Sequence, residues 1–399
     1  MRSSRRRFLS SVALSALAGS LSRRAHGDEL PLLGGRLRPA PDLRPGRLAE
    51  ARRLIGVRPH RRGGVCLELS PEPLSGSTPP KRVVHNYGHG AAGITLAFGC
   101  AEHAADHVEQ AMAGLGATPP AVAVLGTGIA GLTTAWELRK RRPSLPIRIY
   151  ASSLDLRTTT SWVAGGQFEP STVWREYRSD AGKAGLFDYL RRSRAKIDAL
   201  TADHARYGIT PRDYFTLDHD IRAIQEFTPH DVIAPYTRGR LPFPALAAPG
   251  RHYSTWLLNP MLLLPAIQQE LQASGVQFIE RHFDSPRDVV ALEENIVVNC
   301  TGYGARALFG DDRLIGQRGH LLVLDLETVD GLDYLFGGGC ENEVISYLFC
   351  RQSDLVVGGT FLVGEDEPRL LDADAPAFER IWGNAARVFG GHPETCLAG

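Results

Sequence analysis

The segment from residue 121 to residue 150 constrains the fold more than any other part of this chain. A short apolar run ends at Leu125, and the turn Gly-Thr-Gly-Ile-Ala-Gly follows at 126–131. An amphipathic helical stretch then leads to a second apolar run at 147–150. Strand, glycine turn, helix and strand in this order form the βαβ unit that binds a dinucleotide. The pattern therefore predicts an α/β fold with a Rossmann-like domain.

The three glycines of this turn have separate tasks in such a unit. Gly126 permits the tight turn, Gly128 lets the backbone approach a pyrophosphate, and Gly131 lets the helix pack against the strand. The helix N-terminus then faces the phosphate charge. Ser152 stands where an Asp or Glu would hold the adenosine ribose, although a serine can still hydrogen-bond a ribose. The motif does not separate FAD from NAD.

A hydroxyl-rich loop follows the second strand. Three consecutive threonines at 158–160 could donate hydrogen bonds to phosphates. The glycine pair at 165–166 would let the backbone lie against a flat ring. An ordinary turn-rich loop is the alternative interpretation of the same residues.

A second glycine-rich turn lies upstream, in the run His-Asn-Tyr-Gly-His-Gly at 85–90. A short strand precedes it, and a helix is predicted from Ile94 to about Met112. Such a turn presents backbone N–H groups and a helix dipole to an anionic or electron-rich ligand. His103 and His107 have the i, i+4 spacing of a metal pair. No HExxH motif accompanies them and their neighbours are acidic, so we predict no metal site.

Arg58 lies further upstream, in the run Gly-Val-Arg-Pro-His-Arg-Arg at 56–62. An arginine held between extended residues, with a proline after it, suits bidentate recognition of a carboxylate. A surface basic cluster is the alternative interpretation, since the chain is rich in arginine.

These segments resemble the D-amino-acid oxidase family. The run at 85–90 is similar to that family's signature, and the run at 56–61 is similar to its substrate-binding arginine motif. The loop at 158–165 resembles its flavin-contacting loop, and the run at 297–302 resembles the strand and turn that re-enters the FAD domain. The resemblance implies an α/β fold of two interleaved domains. One is a Rossmann-like FAD-binding domain of the glutathione-reductase type, and the other is an α+β substrate domain built on a mixed β-sheet.

The order of these segments differs from that of ordinary family members, in which the glycine turn opens the chain and the other two motifs close it. Here the two closing motifs come first. We interpret the chain as a circular permutation, because termini that lie close together at the surface tolerate such rewiring. The predicted parts are an arm at 28–50, an FAD-binding domain at 51–167 and 290–310 with a fusion linker at 113–120, and a substrate domain at 168–289 and 311–399.

The resemblance also implies roles for individual residues. Arg58 would pair with the substrate α-carboxylate, the backbone carbonyl of Ala91 would accept the substrate amine, and Tyr253 would cover the substrate. The Thr95 hydroxyl would stabilise negative charge at the N1–C2=O edge of the flavin. Glu169 would lie near the substrate side. The predicted FAD-binding residues are Gly90, Ala92, Gly93, Ile94, Thr95, Gly126, Gly128, Ile129, Ala130, Gly131, Ser152, Thr158, Thr159, Thr160, Ala164, Gly165, Gly166 and Gly302.

The implied function is FAD-dependent oxidation of D-amino acids to 2-oxo acids with release of ammonia. Hydride would pass from the substrate Cα to flavin N5, and O2 would reoxidise the flavin. Two alternatives remain open. One is a related amine or N-methyl amino-acid oxidase, or a dehydrogenase of the same fold that reduces a membrane carrier, and the other is a flavin-binding protein without catalytic activity. The substrate would be a small amino acid, and a net charge of +1 argues against a nucleic-acid partner.

The first 27 residues have the pattern of an export signal. Six of the 45 basic residues lie here without any acidic residue, and Ser-Arg-Arg-Arg-Phe-Leu at 4–9 resembles the twin-arginine motif. We predict a signal peptide at 1–27, cleavage near Gly27, and export to the periplasm or beyond by the twin-arginine translocation machinery. A basic arm on a soluble protein is the alternative. No apolar run reaches the roughly 18 residues of a membrane span, and the six scattered cysteines are predicted to be core residues.

Overall fold

The computed structural model describes residues 30–76, 80–116, 118–218, 228–246, 248–326, 331–338 and 344–392. The predicted signal peptide at 1–27 lies outside the described residues, so export stays a prediction. Of the predicted arm at 28–50, the described part from residue 30 pairs with the rest of the protein, since Leu32 forms a β-bridge with Arg240. No helix of the described ranges has the length and apolar character required to cross a bilayer.

The strands and helices of the described residues alternate along the chain. The strands are β1 (Arg52–Arg61), β2 (Cys66–Leu69), β3 (Arg82–Tyr87), β4 (Val122–Leu125), β5 (Ile147–Ala151), β6 (Ile209–Leu217), β7 (Thr237–Arg240), β8 (Pro249–Leu258), β9 (Gln277–Glu280), β10 (Ile296–Asn299), β11 (Leu314–Asp325), β12 (Tyr334–Gly337), β13 (Val344–Cys350), β14 (Asp354–Thr360) and β15 (Leu362–Val363). The α-helices are α1 (Gly93–Ala113), α2 (Ile129–Arg141), α3 (Thr160–Val163), α4 (Asp180–Ala199), α5 (Pro260–Ala273), α6 (Pro286–Val290), α7 (Ala305–Phe309) and α8 (Ala375–Phe389).

Six strands form a mostly parallel sheet in the order β2-β3-β10-β4-β5-β9, with β2 as the antiparallel edge. The four residues of β4 are all buried, because both faces of the sheet are covered. Val122 and Val124 pack into the core that contains α1 and α2. Ala123 and Leu125 point to the other face, where α6 and α7 supply the apolar cover. The predicted Rossmann-like unit is confirmed.

The larger sheet has the order β1-β11-β14-β13-β12-β6-β8-β7, with β15 paired to β11. It is mixed, because β12 and β6 run parallel while the other neighbours run antiparallel. Helix α8 covers one face with residues at helical spacing, including Phe378, Trp382 and Ala385, which join the core of Leu322 and Val357. The other face is left to line a cavity.

The two sheets divide the chain differently from the predicted domain boundaries at two strands. β1 was assigned to the FAD-binding part, but it pairs with β11 over ten positions and belongs to the larger sheet. β9 was assigned to the substrate part, but it extends the six-stranded sheet beside β5. Strand partners decide which sheet a strand joins, and the linear sequence does not show them. Cys66, Cys100, Cys300 and Cys350 are buried and free, as predicted for core cysteines.

A buried ionic network fixes the start of α8 to the larger sheet. The Asp374 carboxylate accepts two hydrogen bonds from Arg318, at 2.5 and 2.7 Å, and lies 3.0 Å from His320 Nε2. The backbone N–H of Leu371 also donates to it, at 2.8 Å. The Arg318 hydrogen bonds hold the pKa of Asp374 well below its usual range. The carboxylate is therefore charged in the folded protein and stabilised by these contacts.

We expect Asp374→Asn to lower the free energy of unfolding by about 3 kcal/mol, because the substitution leaves the Arg318 charge buried without its partner. The contribution is fully present above the unfolded-state pKa of about 3.9 and is lost as the pH falls through the lower folded-state value. Thermal unfolding of the purified protein at pH 7 measures the loss. The exposed neighbour Asp372 provides the control, Asp372→Asn, and equal stability losses for the two variants would contradict the assigned role of the network.

Candidate active site

A cavity of about 640 Å³ lies between the two sheets and contains most of the residues singled out from the sequence. The turns that follow β4, β5 and β10 line it from the six-stranded sheet. β1, β11 and the strands beyond them line it from the larger sheet. The carboxyl ends of the parallel strands β4, β5 and β10 meet at this edge, which is where α/β sheets place ligands.

The glycine turn after β4 forms one wall of the cavity. Gly126 has φ +109°, and a Cβ there would lie 2.5 Å from the carbonyl oxygen of Cys300. A Cβ at Gly131 would lie 2.0 Å from the Gly126 carbonyl oxygen, so Gly131 packs the helix onto the turn and does not line the cavity. Gly128 and Ala130 do line it, with Ile129 between them. The Ile129 N–H already donates to Ser161 Oγ, at 3.0 Å.

The end of β5 lines the cavity through Ser152 and Ser153. Asp155, the acidic residue that follows a few positions later, pairs with Arg157 on the surface and does not line the cavity. No carboxylate of the described residues therefore replaces the missing ribose ligand at this strand end.

The threonine loop also lines the cavity, at Thr158, Thr159 and Thr160. Their hydroxyls do not point their protons at phosphates as suggested above. Each donates to a backbone carbonyl of the protein, Asp155 O, Leu156 O and Val57 O respectively, at 2.8, 2.6 and 2.8 Å. A hydroxyl has one proton to donate, so these groups shape the loop.

Ala164, Gly165 and Gly166 continue the lining of the cavity, as predicted. A Cβ at Gly165 would lie 2.8 Å from the Phe349 ring, and one at Gly166 would lie 2.4 Å from the Leu258 carbonyl oxygen. The backbone of this loop therefore lies directly on β8 and β13.

The upstream glycine turn closes the cavity from another side. Gly90, Ala91, Gly93 and Ile94 line it, and Gly302 joins them from the turn after β10. The buried residues Ala92 and Thr95 do not line it. The Thr95 hydroxyl lies 2.7 Å from the carbonyl oxygen and 3.0 Å from the N–H of Glu169, so it ties α1 to that segment. The predicted contact of this hydroxyl with the flavin is wrong, because backbone groups already occupy it.

Arg58 lines the cavity from β1. Its Nη1 donates to the Thr360 carbonyl oxygen at 3.1 Å, its guanidinium lies 4.5 Å from the centre of the Phe361 ring, and Tyr347 is a further hydrogen-bond partner. Burial lowers the pKa of Arg58, and the Tyr347 hydroxyl opposes this effect. Arg58 has no carboxylate partner within 4.0 Å in the described part of the chain, and a guanidinium has five N–H donors. It is a buried cation available to an anion.

The larger sheet forms a floor of glycines under the polar side chains. A Cβ at Gly319 would lie 2.3 Å from Arg58 Nη1, and one at Gly358 would lie 2.2 Å from the Tyr347 ring. The lack of a side chain at these two positions lets the guanidinium and the ring lie flat on the strands. The surface alternative for Arg58 is therefore wrong, because this side chain lies inside the protein over β11.

Comparison with known proteins identifies the family. A model of the DAO family, described as FAD dependent oxidoreductase, matches residues 121–398. The chain belongs to the DAO family of FAD-dependent oxidoreductases. It is an enzyme of the amino-acid-oxidase type, and its cofactor is FAD.

Three similar proteins illustrate this membership. A D-amino-acid oxidase of Streptomyces coelicolor is 27% identical over 245 residues, which cover 60% of this chain and 69% of that protein. A D-amino-acid oxidase of Rubrobacter xylanophilus is 54% identical over 65 residues, which cover 16% of this chain and 18% of that protein. The solved structure of a glycine oxidase from Bacillus cereus is 14% identical, with a TM-score of 0.48, and the match covers 67% of this chain and 77% of the other.

The cavity of this DAO-family chain fits FAD on two observations. Gly128 faces the cavity at the N-terminus of α2, and a Cβ there would meet only Ser161 Oγ within the protein, at 3.3 Å, so the space before it is open to a phosphate. His89 lines the cavity with its buried Nε2 lacking a hydrogen-bond partner among the described residues. Burial lowers the pKa of His89 to about 4, so its ring is neutral and can donate or accept one bond to a ligand.

The predicted position of Tyr253 over the substrate is wrong. Its ring is buried behind the cavity wall, and its hydroxyl donates to Glu169 Oε2 at 3.3 Å and accepts from Gln167 Nε2 at 3.1 Å. Tyr214 and Tyr347 are the tyrosines that line the DAO-family cavity. Tyr214 stands opposite Tyr253 in the register of β6 and β8, so a neighbouring strand presents the ring that Tyr253 was expected to supply.

Sequence analysis missed a second group of lining residues. Arg281, His282 and Phe283 follow β9 and line the cavity beside the end of β5. β9 pairs with β5 in parallel, so their carboxyl ends meet at one edge. The strand pattern at 277–280 is the only sequence signal that could have placed them there.

Proposed function

We propose that this chain oxidises D-amino acids to 2-oxo acids with release of ammonia and passes the electrons to O2. Arg58 is the observation that carries the proposal. A buried guanidinium without a carboxylate partner, in the cavity of an FAD-dependent enzyme, suits the α-carboxylate of an amino acid. The D-amino-acid oxidases among the similar proteins support the choice of enantiomer.

The residues of the cavity divide the work of binding. Arg58 holds the carboxylate with paired N–H donors, and Tyr347 and the Thr360 carbonyl fix the guanidinium. The backbone carbonyl of Ala91, in the glycine turn, accepts a hydrogen bond from the substrate amine. These two anchors orient the Cα–H bond, which is the main contribution that a protein makes to such a reaction. Bound FAD supplies the hydride acceptor, and the released imino acid hydrolyses in water.

The decisive experiment is a substrate screen resolved by enantiomer. The yellow holoenzyme is mixed without air with D-amino acids, their L-enantiomers and sarcosine, and the loss of flavin absorbance is followed. We expect bleaching by several D-amino acids and not by L-amino acids, and hydrogen peroxide formation in air. Bleaching by sarcosine alone would identify an N-methyl amino-acid oxidase. A protein that no amine bleaches would refute the proposed activity.

We also propose that the chain is a circularly permuted member of its family. The family match begins at residue 121, where the glycine turn opens. β1 and β3 precede that point, yet each pairs with a strand near the other end of the chain. β3 lies beside β10, and β1 lies beside β11. These pairings support the view that residues 52–112 form a segment moved from the end of the family's usual order to its beginning.

A further inference from the structure

Glu169 is the one acidic side chain of the described residues that lines the cavity floor opposite the end held by Arg58. It follows the loop of Ala164, Gly165 and Gly166 and lines the same cavity. Its only hydrogen-bond donor through the side chain is Tyr253, whose hydroxyl lies 3.3 Å from Oε2. No lysine, arginine or histidine of the described part of the chain forms an ion pair with it.

The groups packed around Glu169 are polar but uncharged. Tyr214 from β6 and Tyr253 from β8 face the carboxyl group, and its proximity raises the pKa of both hydroxyls, as does their burial. Gln167 bonds the Tyr253 hydroxyl, and Thr95 from α1 contacts only the Glu169 backbone. Burial raises the pKa of Glu169 to about 7, while the Tyr253 hydrogen bond opposes the rise. A cation brought into the cavity would complete this site.

Glu169 and Arg58 lie at opposite ends of the cavity floor. Arg58 rests on Gly319 of β11, whereas Glu169 contacts β8 through Tyr253. Strands β14, β13 and β12 separate β11 from β6, and β6 precedes β8. Neighbouring strands lie about 4.8 Å apart, so β11 and β6 are roughly 19 Å apart before side chains reach inward. An α-amino group lies next to the α-carboxylate and cannot span this floor, but a long side chain extends along it.

We propose that Glu169 is a specificity residue that binds the cationic end of the substrate side chain, so that the enzyme favours D-amino acids such as D-lysine and D-arginine. The proposal rests on the proposed function, since Arg58 must first hold the α-carboxylate. A buried carboxylate gains a partner when the cation arrives, and the cation loses less solvation than it would in an apolar pocket. A neutral side chain of the same length leaves the carboxylate unpaired.

The test compares D-lysine with D-2-aminoheptanoate, which has a methyl group in place of the ammonium. The measured quantity is the ratio of kcat/KM for the two substrates, in the wild-type holoenzyme, in Glu169→Gln and in Glu109→Gln. We expect the wild type to favour D-lysine and Glu169→Gln to lower the ratio at least about tenfold. Glu109→Gln removes an acidic group paired with Arg142 on the surface and should keep the wild-type ratio. FAD absorbance and thermal unfolding show whether each variant is folded.

A second measurement uses the wild type alone. Glu169 is mostly neutral at pH 6 and mostly charged at pH 8.5, whereas the lysine ammonium stays charged across this range. The ratio should therefore rise with pH in the wild type and stay flat in Glu169→Gln. An unchanged ratio in the variant, or an equal loss on both substrates, would overturn the assignment to the side chain. If no D-amino acid is oxidised by the wild type, the proposed function itself fails.

Discussion

We expect Arg58→Ala to lower kcat/KM for D-amino acids about 10³-fold while the protein keeps its FAD. Truncating one partner of a buried charge pair costs about 2–5 kcal/mol, and each 1.4 kcal/mol is a factor of ten. The loss should appear chiefly in KM, because Arg58 binds the carboxylate before any bond to Cα changes. Steady-state peroxide production and the flavin absorbance of the purified variant measure the two quantities.

Arg62 provides the matched control for Arg58. It belongs to the same basic run but is exposed at the end of β1, so Arg62→Ala should leave kcat/KM close to the wild-type value. Arg58→Lys keeps the charge but loses the planar pair of donors, and we expect an intermediate loss. Release of flavin from Arg58→Ala would instead assign this residue to the cofactor, and unchanged kinetics would place the substrate carboxylate elsewhere.

Gly128→Ala should weaken FAD binding about 100-fold, because the new methyl group occupies the space through which the backbone approaches the pyrophosphate. The loss of one or two charge-assisted hydrogen bonds at about 1.5–3 kcal/mol each accounts for this magnitude. Gly128 has φ −68° and ψ 174°, which alanine adopts without strain, so the fold should persist. Titration of the flavin-free variant with FAD, followed by flavin fluorescence, measures the change in Kd.

Gly383→Ala is the control for the glycine substitution. A Cβ at Gly383 would meet no atom within 4 Å, and the residue lies in α8 outside the cavity. Its affinity for FAD should match the wild type, and its stability should rise slightly, since alanine favours a helix. If Gly128→Ala also bound FAD with wild-type affinity, the phosphates would not lie at this turn.

Local sequence patterns predicted the segments whose partners are close in the chain. The strand, turn and helix around Gly126 form as expected, because the turn and its flanking strands are set within about thirty residues. The helix predicted from Ile94 to about Met112 is observed as Gly93–Ala113. The helix expected at 375–388 is observed one residue longer. Backbone conformation and apolar spacing are sufficient for such elements.

Side-chain placement inside the cavity depended on contacts that sequence order does not reveal. The register between β6 and β8 buries Tyr253 behind Glu169 and brings Tyr214 forward. Tyr347 reaches Arg58 only because β13, β14 and β11 lie side by side. The Thr95 hydroxyl is occupied by the backbone of Glu169, 74 positions further along the chain. Each of these outcomes is decided by strand partners, whereas a motif gives only the identity of a residue.

The position of β10 between β3 and β4 has a consequence for biosynthesis. Asn299 bonds His85 across 214 positions, and the Cys300 carbonyl forms the wall on which Gly126 packs. A ribosome that adds 5–20 residues per second needs roughly 10–30 s to pass from β4 to β10. Through this interval the glycine turn has no finished sheet behind it, and long-range pairings of this kind form slowly. The nascent chain therefore captures its flavin only after most of its translation is complete.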